Sequence, residues 1–124
     1  MDEIQYRAEV KLLNDNKEMK KRVFVELLRK GLDRNLKGFH YLLDIITLCV
    51  LKRKHSFTPI TTLYPFIAHK YGIKEFSVQR QLRYTCTIKN YGFYVPNMLC
   101  FEIWKKIIDE ENAKLEKENK RNAN

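Results

Sequence analysis

Apolar residues recur at helical spacing through most of this chain. Ile4, Ala8 and Leu12 fall on every fourth position, which predicts a first amphipathic helix over 2–13, interrupted by Asn14-Asp15-Asn16. From Lys17, the positions Met19, Val23 and Leu27, with Phe24 and Leu28 beside them, line one side of a second helix that Gly31 stops. Leu36, Phe39, Leu43, Ile46 and Val50 form a third stripe, and Leu42, Ile45 and Cys49 widen it until only a narrow polar edge remains. A helix apolar on nearly every side belongs at the centre of a bundle. The basic run Lys52-Arg53-Lys54 suits the negative end of its dipole.

Downstream, Thr58 before Pro59 reads as a helix start, a capping hydroxyl followed by proline at the first helical position. Pro65 removes a backbone donor, so the expectation is a short turn from Pro59 to about Tyr64 and a restart running to Tyr71. Gly72 then supplies a turn at no steric cost, Ala68 is small where two helices cross, and a further helix is expected over about 75–90. At about 100° per residue, Val78, Leu82 and Thr85 share one side of that helix, while Arg80, Arg83 and Thr87 cluster on the other. This is the pattern of a helix-turn-helix, one face packing and one free to read a groove. Phe93-Tyr94-Val95-Pro96 is expected to be a short extended connection, too short to pair by itself. Asn97 is expected to cap a last helix in which Phe101, Trp104, Ile107 and Ile108 pack on the bundle. Trp104 belongs to the core on this spacing. The fold class is therefore all-α, a compact bundle of about five to six helices containing a helix-turn-helix.

Charge sharpens the picture. The net charge of the 124 residues is +9, and its distribution is uneven. Residues 1–51 carry ten Lys and Arg against eight Asp and Glu; residues 52–90 carry eight against one; residues 91–124 carry six against six. The excess of +7 thus sits on the candidate reading unit, which points to a polyanion, double-stranded DNA before an anionic membrane surface. The three cysteines, at 49, 86 and 100, show no Cys-x-x-Cys spacing and read as buried thiols of a reducing compartment rather than disulfides. His40, His55 and His69 share no metal-ligand spacing with them, and no nucleophile is paired with a base. No metal site, cofactor or catalytic residue is expected, and the chain is not read as an enzyme. The N-terminus lacks the regions of a signal peptide and no apolar run approaches the roughly 20 residues of a membrane span, so a cytoplasmic protein without membrane association is expected.

Three stretches carry a resemblance. They are Asn35-Leu-Lys-Gly-Phe-His-Tyr-Leu-Leu-Asp-Ile-Ile-Thr-Leu, Ile60-Thr-Thr-Leu-Tyr-Pro-Phe-Ile-Ala-His-Lys-Tyr and Ser77-Val-Gln-Arg-Gln-Leu-Arg. From about Val23 to Tyr91 the chain resembles the C-terminal effector domain of the sporulation initiation factor, the stage-zero sporulation protein A family. The resemblance implies an all-helical DNA-binding unit whose recognition helix enters the major groove, and a regulator of transcription that contacts RNA polymerase. It matches Arg80 and Arg83 to the family's DNA-contacting arginines, and it puts Gln79 where the family usually has Glu and Ser77 where it usually has Arg. An arginine fork donates two hydrogen bonds to O6 and N7 of guanine, Gln prefers adenine and Ser discriminates little, so a shifted operator preference is expected. The family usually carries an N-terminal receiver domain; here only about 20 helix-prone residues precede the match, so phosphorylation-driven dimerisation in cis is not expected. The family's longer segment before the last helix is replaced by Gly92 to Asn97.

The organisation expected is an N-terminal helical extension over 1–16, the effector-like domain over 17–110 and a charged tail over 111–124. The function expected is sequence-specific DNA-binding transcription regulation. Gln79, Arg80, Arg83 and Ser77 are the base-reading candidates, and Lys70, Lys74, Tyr84, Thr87, Lys89 and Lys54 are the candidate phosphate contacts. RNA polymerase and a second copy on DNA are further candidate partners. The alternative is a protein-interaction module without specific DNA reading. It would bind RNA polymerase or a full-length family member through the Leu36–Val50 neighbourhood or the charged tail.

Overall fold

The computed structural model of the chain describes residues 1–52, 54–88 and 92–123. Among these residues six α-helices carry the fold: α1 Glu3–Asp15, α2 Lys17–Arg29, α3 Lys37–Lys52, α4 Tyr64–Tyr71, α5 Glu75–Thr85 and α6 Pro96–Asn122. The fold is all-α, with one addition. Residues Thr87–Ile88 (β1) and Gly92–Phe93 (β2) pair antiparallel, Thr87 opposite Phe93 and Ile88 opposite Gly92.

The apolar patterning dictates the arrangement. α3 is the hub, and α1, α2, α4, α5 and α6 all pack on it. Every residue from Tyr41 to Val50 is buried, including Asp44 and Thr47. The Thr47 hydroxyl is satisfied by donating to the Leu43 carbonyl at 2.6 Å. Because residues 41–50 are covered on all sides, that stretch of α3 has no apolar face left for a partner. Full burial of each Leu or Ile there contributes on the order of 1.5–3 kcal/mol.

α1 runs two residues past the expected Leu13, to Asp15, and packs on the bundle. Tyr6 packs against the rings of Phe66 and His69, and buried Glu9 accepts from Lys52 Nζ at 2.6 Å. At the other end, α6 runs unbroken to Asn122, with every residue from 112 to 123 exposed. Trp104 is core, as its spacing predicts.

Four local expectations are corrected. The α5 helix ends at Thr85, not near residue 90. Thr87 and Ile88 are β-branched and favour extended backbone, and the Tyr94 N–H reaches back to the Cys86 carbonyl at 2.8 Å, continuing the short ladder. The segment read as too short to pair therefore does pair, against the chain leaving α5. Asn97 does not cap α6, which begins at Pro96; its Oδ1 instead accepts from the Ile60 N–H at 2.9 Å. That bond ties α6 to the 3-10 turn Ile60–Leu63 that leads into α4. Thr58 is no cap either: Pro59 occupies the capping position, and the Thr58 hydroxyl is buried without a hydrogen-bond partner.

Candidate functional site

The α4–α5 pair is built on a turn of three residues. Gly72 closes α4 in the left-handed region, at φ 66° and ψ 38°, where a Cβ would be strained. The Ile73 N–H then folds back to the Ala68 carbonyl at 3.0 Å, as in other glycine-ended helices. Lys74 is extended, and its carbonyl receives the N–H groups of Ser77 and Val78 at 2.9 and 3.2 Å, opening α5. Glu75 lies in the first turn and Arg83 in the last, each at the favourable end of the helix dipole.

Both helices are fixed from beneath. Val78 and Leu82 are fully buried and Thr85 nearly so, as the spacing predicts. The close approach is at Gly38 of α3. A Cβ there would overlap the Thr85 hydroxyl and the Gln81 carbonyl oxygen, and would lie 2.9 Å from the Gln81 carbonyl carbon. α4 is held by a buried carboxylate: Asp44 Oδ2 accepts from Lys70 Nζ at 2.7 Å and from the Tyr71 hydroxyl at 2.6 Å, while Lys20 Nζ lies 3.5 Å from Oδ1. Burial, and then the bond to Asp44, hold the Tyr71 phenol well above its usual range, so it remains a neutral donor. At the far end, Cys86 is buried and its thiol is pushed up to about 12 by desolvation. The Tyr94 hydroxyl donates to the Lys30 carbonyl at 3.2 Å, fastening the β2 end to α2.

The outer face of α5 brings together Gln79, Arg80, Arg83 and Tyr84, all exposed. Among the described residues neither arginine has a carboxylate within ion-pair reach. Arg83 lies close enough to α4 to act on Tyr64, whose phenol burial raises and Arg83 partly lowers. The remaining sequence candidates are dispersed. Ser77 is half-buried, Lys74 is exposed at the turn, and Lys54 is exposed beyond α3. Lys70 is turned inward to Asp44. Thr87 lies outside α5, on β1, with its hydroxyl donating to the Arg83 carbonyl at 3.1 Å. Lys89 lies outside the described residues.

Phe76 was missed by reading for charge. It is 67 % exposed, and Arg80 lies over its ring at 5.2 Å. The signal was available: an aromatic residue almost opposite Val78 and Leu82 on an otherwise polar face.

Among the described residues no helix is long and apolar enough to cross a membrane, and no three His, Cys, Asp or Glu side chains gather to hold a metal ion. Residues 23–115, three quarters of the chain, match the family described as sporulation initiation factor Spo0A C terminal. The chain belongs to that family. The match starts within α2 and includes α3 to α5 and α6 as far as Leu115, so α1 lies outside it. The Spo0A C-terminal family is one of DNA-binding effector domains and not of enzymes, which makes the chain, at family level, a DNA-binding transcription regulator connected with sporulation. No curated protein and no solved structure matches it.

Proposed function

We propose that the chain is a sequence-specific transcription regulator in which α4, the Gly72 turn and α5 act as a helix-turn-helix, with α5 as the recognition helix in the major groove. One observation carries this reading: the outer face of α5 presents Arg80 and Arg83 without carboxylate partners among the described residues, on a helix seated tightly from below. Unpaired guanidinium groups on a rigid support suit bidentate recognition of guanine, because little order is lost on binding. Gln79, beside them, suits adenine. Ser77, half-buried, adds little discrimination.

Lys74, Tyr84, Thr87, Lys89 and Lys54 are assigned to phosphate contact, which fixes register without reading sequence. Lys70 acts indirectly, by pinning α4 through Asp44. A second copy on DNA and RNA polymerase are the further partners proposed, with the exposed end of α6 as the surface free for a protein contact. A cytoplasmic or nucleoid location follows from DNA as target.

Selection of bound sequences from random duplex DNA tests the reading, with Arg80→Ala and Arg83→Ala in parallel and salt varied. An enriched motif containing guanine, weakened by each substitution, is expected. Absence of any motif, with both variants binding like the parent, would overturn it. Binding that is blind to sequence and steeply salt dependent would retain the charge argument alone and return the chain to the interaction-module alternative.

A further inference from the structure

Phe76 is the second residue of α5, and its exposure has no structural return within the chain. The apolar side chains that seat this helix, Val78 and Leu82, are at 0 % exposure, whereas Phe76 is at 67 %. On an ideal helix Phe76, Arg80 and Arg83 fall within about 60° of one another, so the phenyl ring stands in the middle of the face assigned above to DNA. It is also at the N-terminal end of α5, the part of a recognition helix that reaches base edges. Its contact with Arg80, 5.2 Å from guanidinium carbon to ring centroid, joins an apolar plate to a planar donor.

Phenylalanine has no donor or acceptor, so it reads neither a phosphate nor a hydrogen-bonding base edge. The feature of the major groove that an apolar ring fits is the 5-methyl group of thymine. The geometry points to Phe76 as a specificity-determining residue that takes a thymine methyl at the base step next to the guanine held by Arg80. The inference rests on α5 being the recognition helix and adds to it a second base and a defined partner atom. Stacking on Phe76 also restrains the Arg80 guanidinium, so the two side chains act as one reader of a thymine beside a guanine.

The test uses the full chain and the duplex enriched by the selection. Each thymine adjacent to a guanine is replaced in turn by deoxyuridine, which deletes the methyl and keeps the base pair. For the parent, one such replacement should weaken binding about fourfold, the value of a single buried methyl group. For Phe76→Ala the same replacement should change nothing, and Phe76→Leu should retain part of the effect. Circular dichroism and urea denaturation should be unchanged in both variants, since the side chain is exposed. An enriched guanine motif whose uracil-substituted duplexes bind the parent as tightly as thymine duplexes overturns the inference and leaves the DNA-reading proposal standing. A methyl effect of equal size in Phe76→Ala does the same. If no motif is enriched, the proposal and the inference fall together.

Discussion

Along the seam between α2 and α6, Arg22, Glu26 and Lys30 recur at four-residue intervals, and each meets opposite charge: Arg22 pairs with Glu110 at 2.8 Å and with Glu111, Glu26 with Lys106 at 2.9 Å, and Lys30 with Glu102 at 2.9 Å. On the outer face of α5, Arg80 and Arg83 meet no carboxylate among the described residues. The two surfaces use the same residue types for different ends. Exposed ion pairs contribute little stability each, but they leave no field for an external polyanion to exploit. The face without carboxylates keeps its positive potential, and that potential is supported by a helix that cannot shift without disturbing α3.

The comparison can be broken at its foundation first. Gly38→Ala should lower stability by about 3 kcal/mol, because overpacking there meets a backbone carbonyl, and should weaken DNA binding as well by displacing α5. Urea denaturation and a binding titration check both, and a variant normal in each would contradict the crossing described. Next, Arg80→Ala and Arg83→Ala should each remove about 1–3 kcal/mol of specific DNA affinity. The same two variants should keep their unfolding free energy within about 0.5 kcal/mol of the parent, a separation that the α2–α6 seam would not show. Lys74→Ala should reduce the slope of log affinity against log salt by about 1 while leaving sequence preference intact.

The other side of the comparison is tested by Arg22→Ala. It should cost about 1 kcal/mol or less of stability, less still at high salt, with no change in DNA affinity. The smallest expected effect is one of pH. Partial burial raises the Glu26 carboxyl, but Lys106 and Arg29 outweigh this and hold it below its usual 4.5. A depressed carboxyl stabilises the fold fully above the unfolded value and loses that contribution as pH falls through the folded one. Glu26→Gln should therefore flatten the decline of stability below about pH 4.5, and an unchanged acid limb would show that the pair contributes nothing.

Much of this architecture is legible in local spacing. The first four helices begin and end within a residue or two of where their apolar stripes, Asn16, Gly31 and Gly72 place them. The 3-10 turn and restart around Pro65 follow from one missing donor. What spacing hides are choices made by distant partners. The end of α5 depends on pairing with Gly92 and Phe93, and Asn97 is drawn from its own helix to Ile60, 37 residues away. Lys70 reads as a surface cation, yet its partner Asp44 lies 26 residues upstream inside an apolar stripe. Position along the α5 sequence is enough to turn Gln79, Arg80 and Arg83 outward, away from Val78 and Leu82. Phe76 escaped because a reading for charge passes over an uncharged ring on a polar face.

The thiol of Cys86 has a consequence of another kind. With its ionisation pushed up to about 12, it is chemically silent at neutral pH while α5 is seated. It turns reactive when the end of that helix lifts and water enters. Labelling of this sulfur by a thiol reagent thus reads, one event at a time, how often the helix leaves its seat. Slower labelling in the presence of DNA would register the grip of the duplex on that helix.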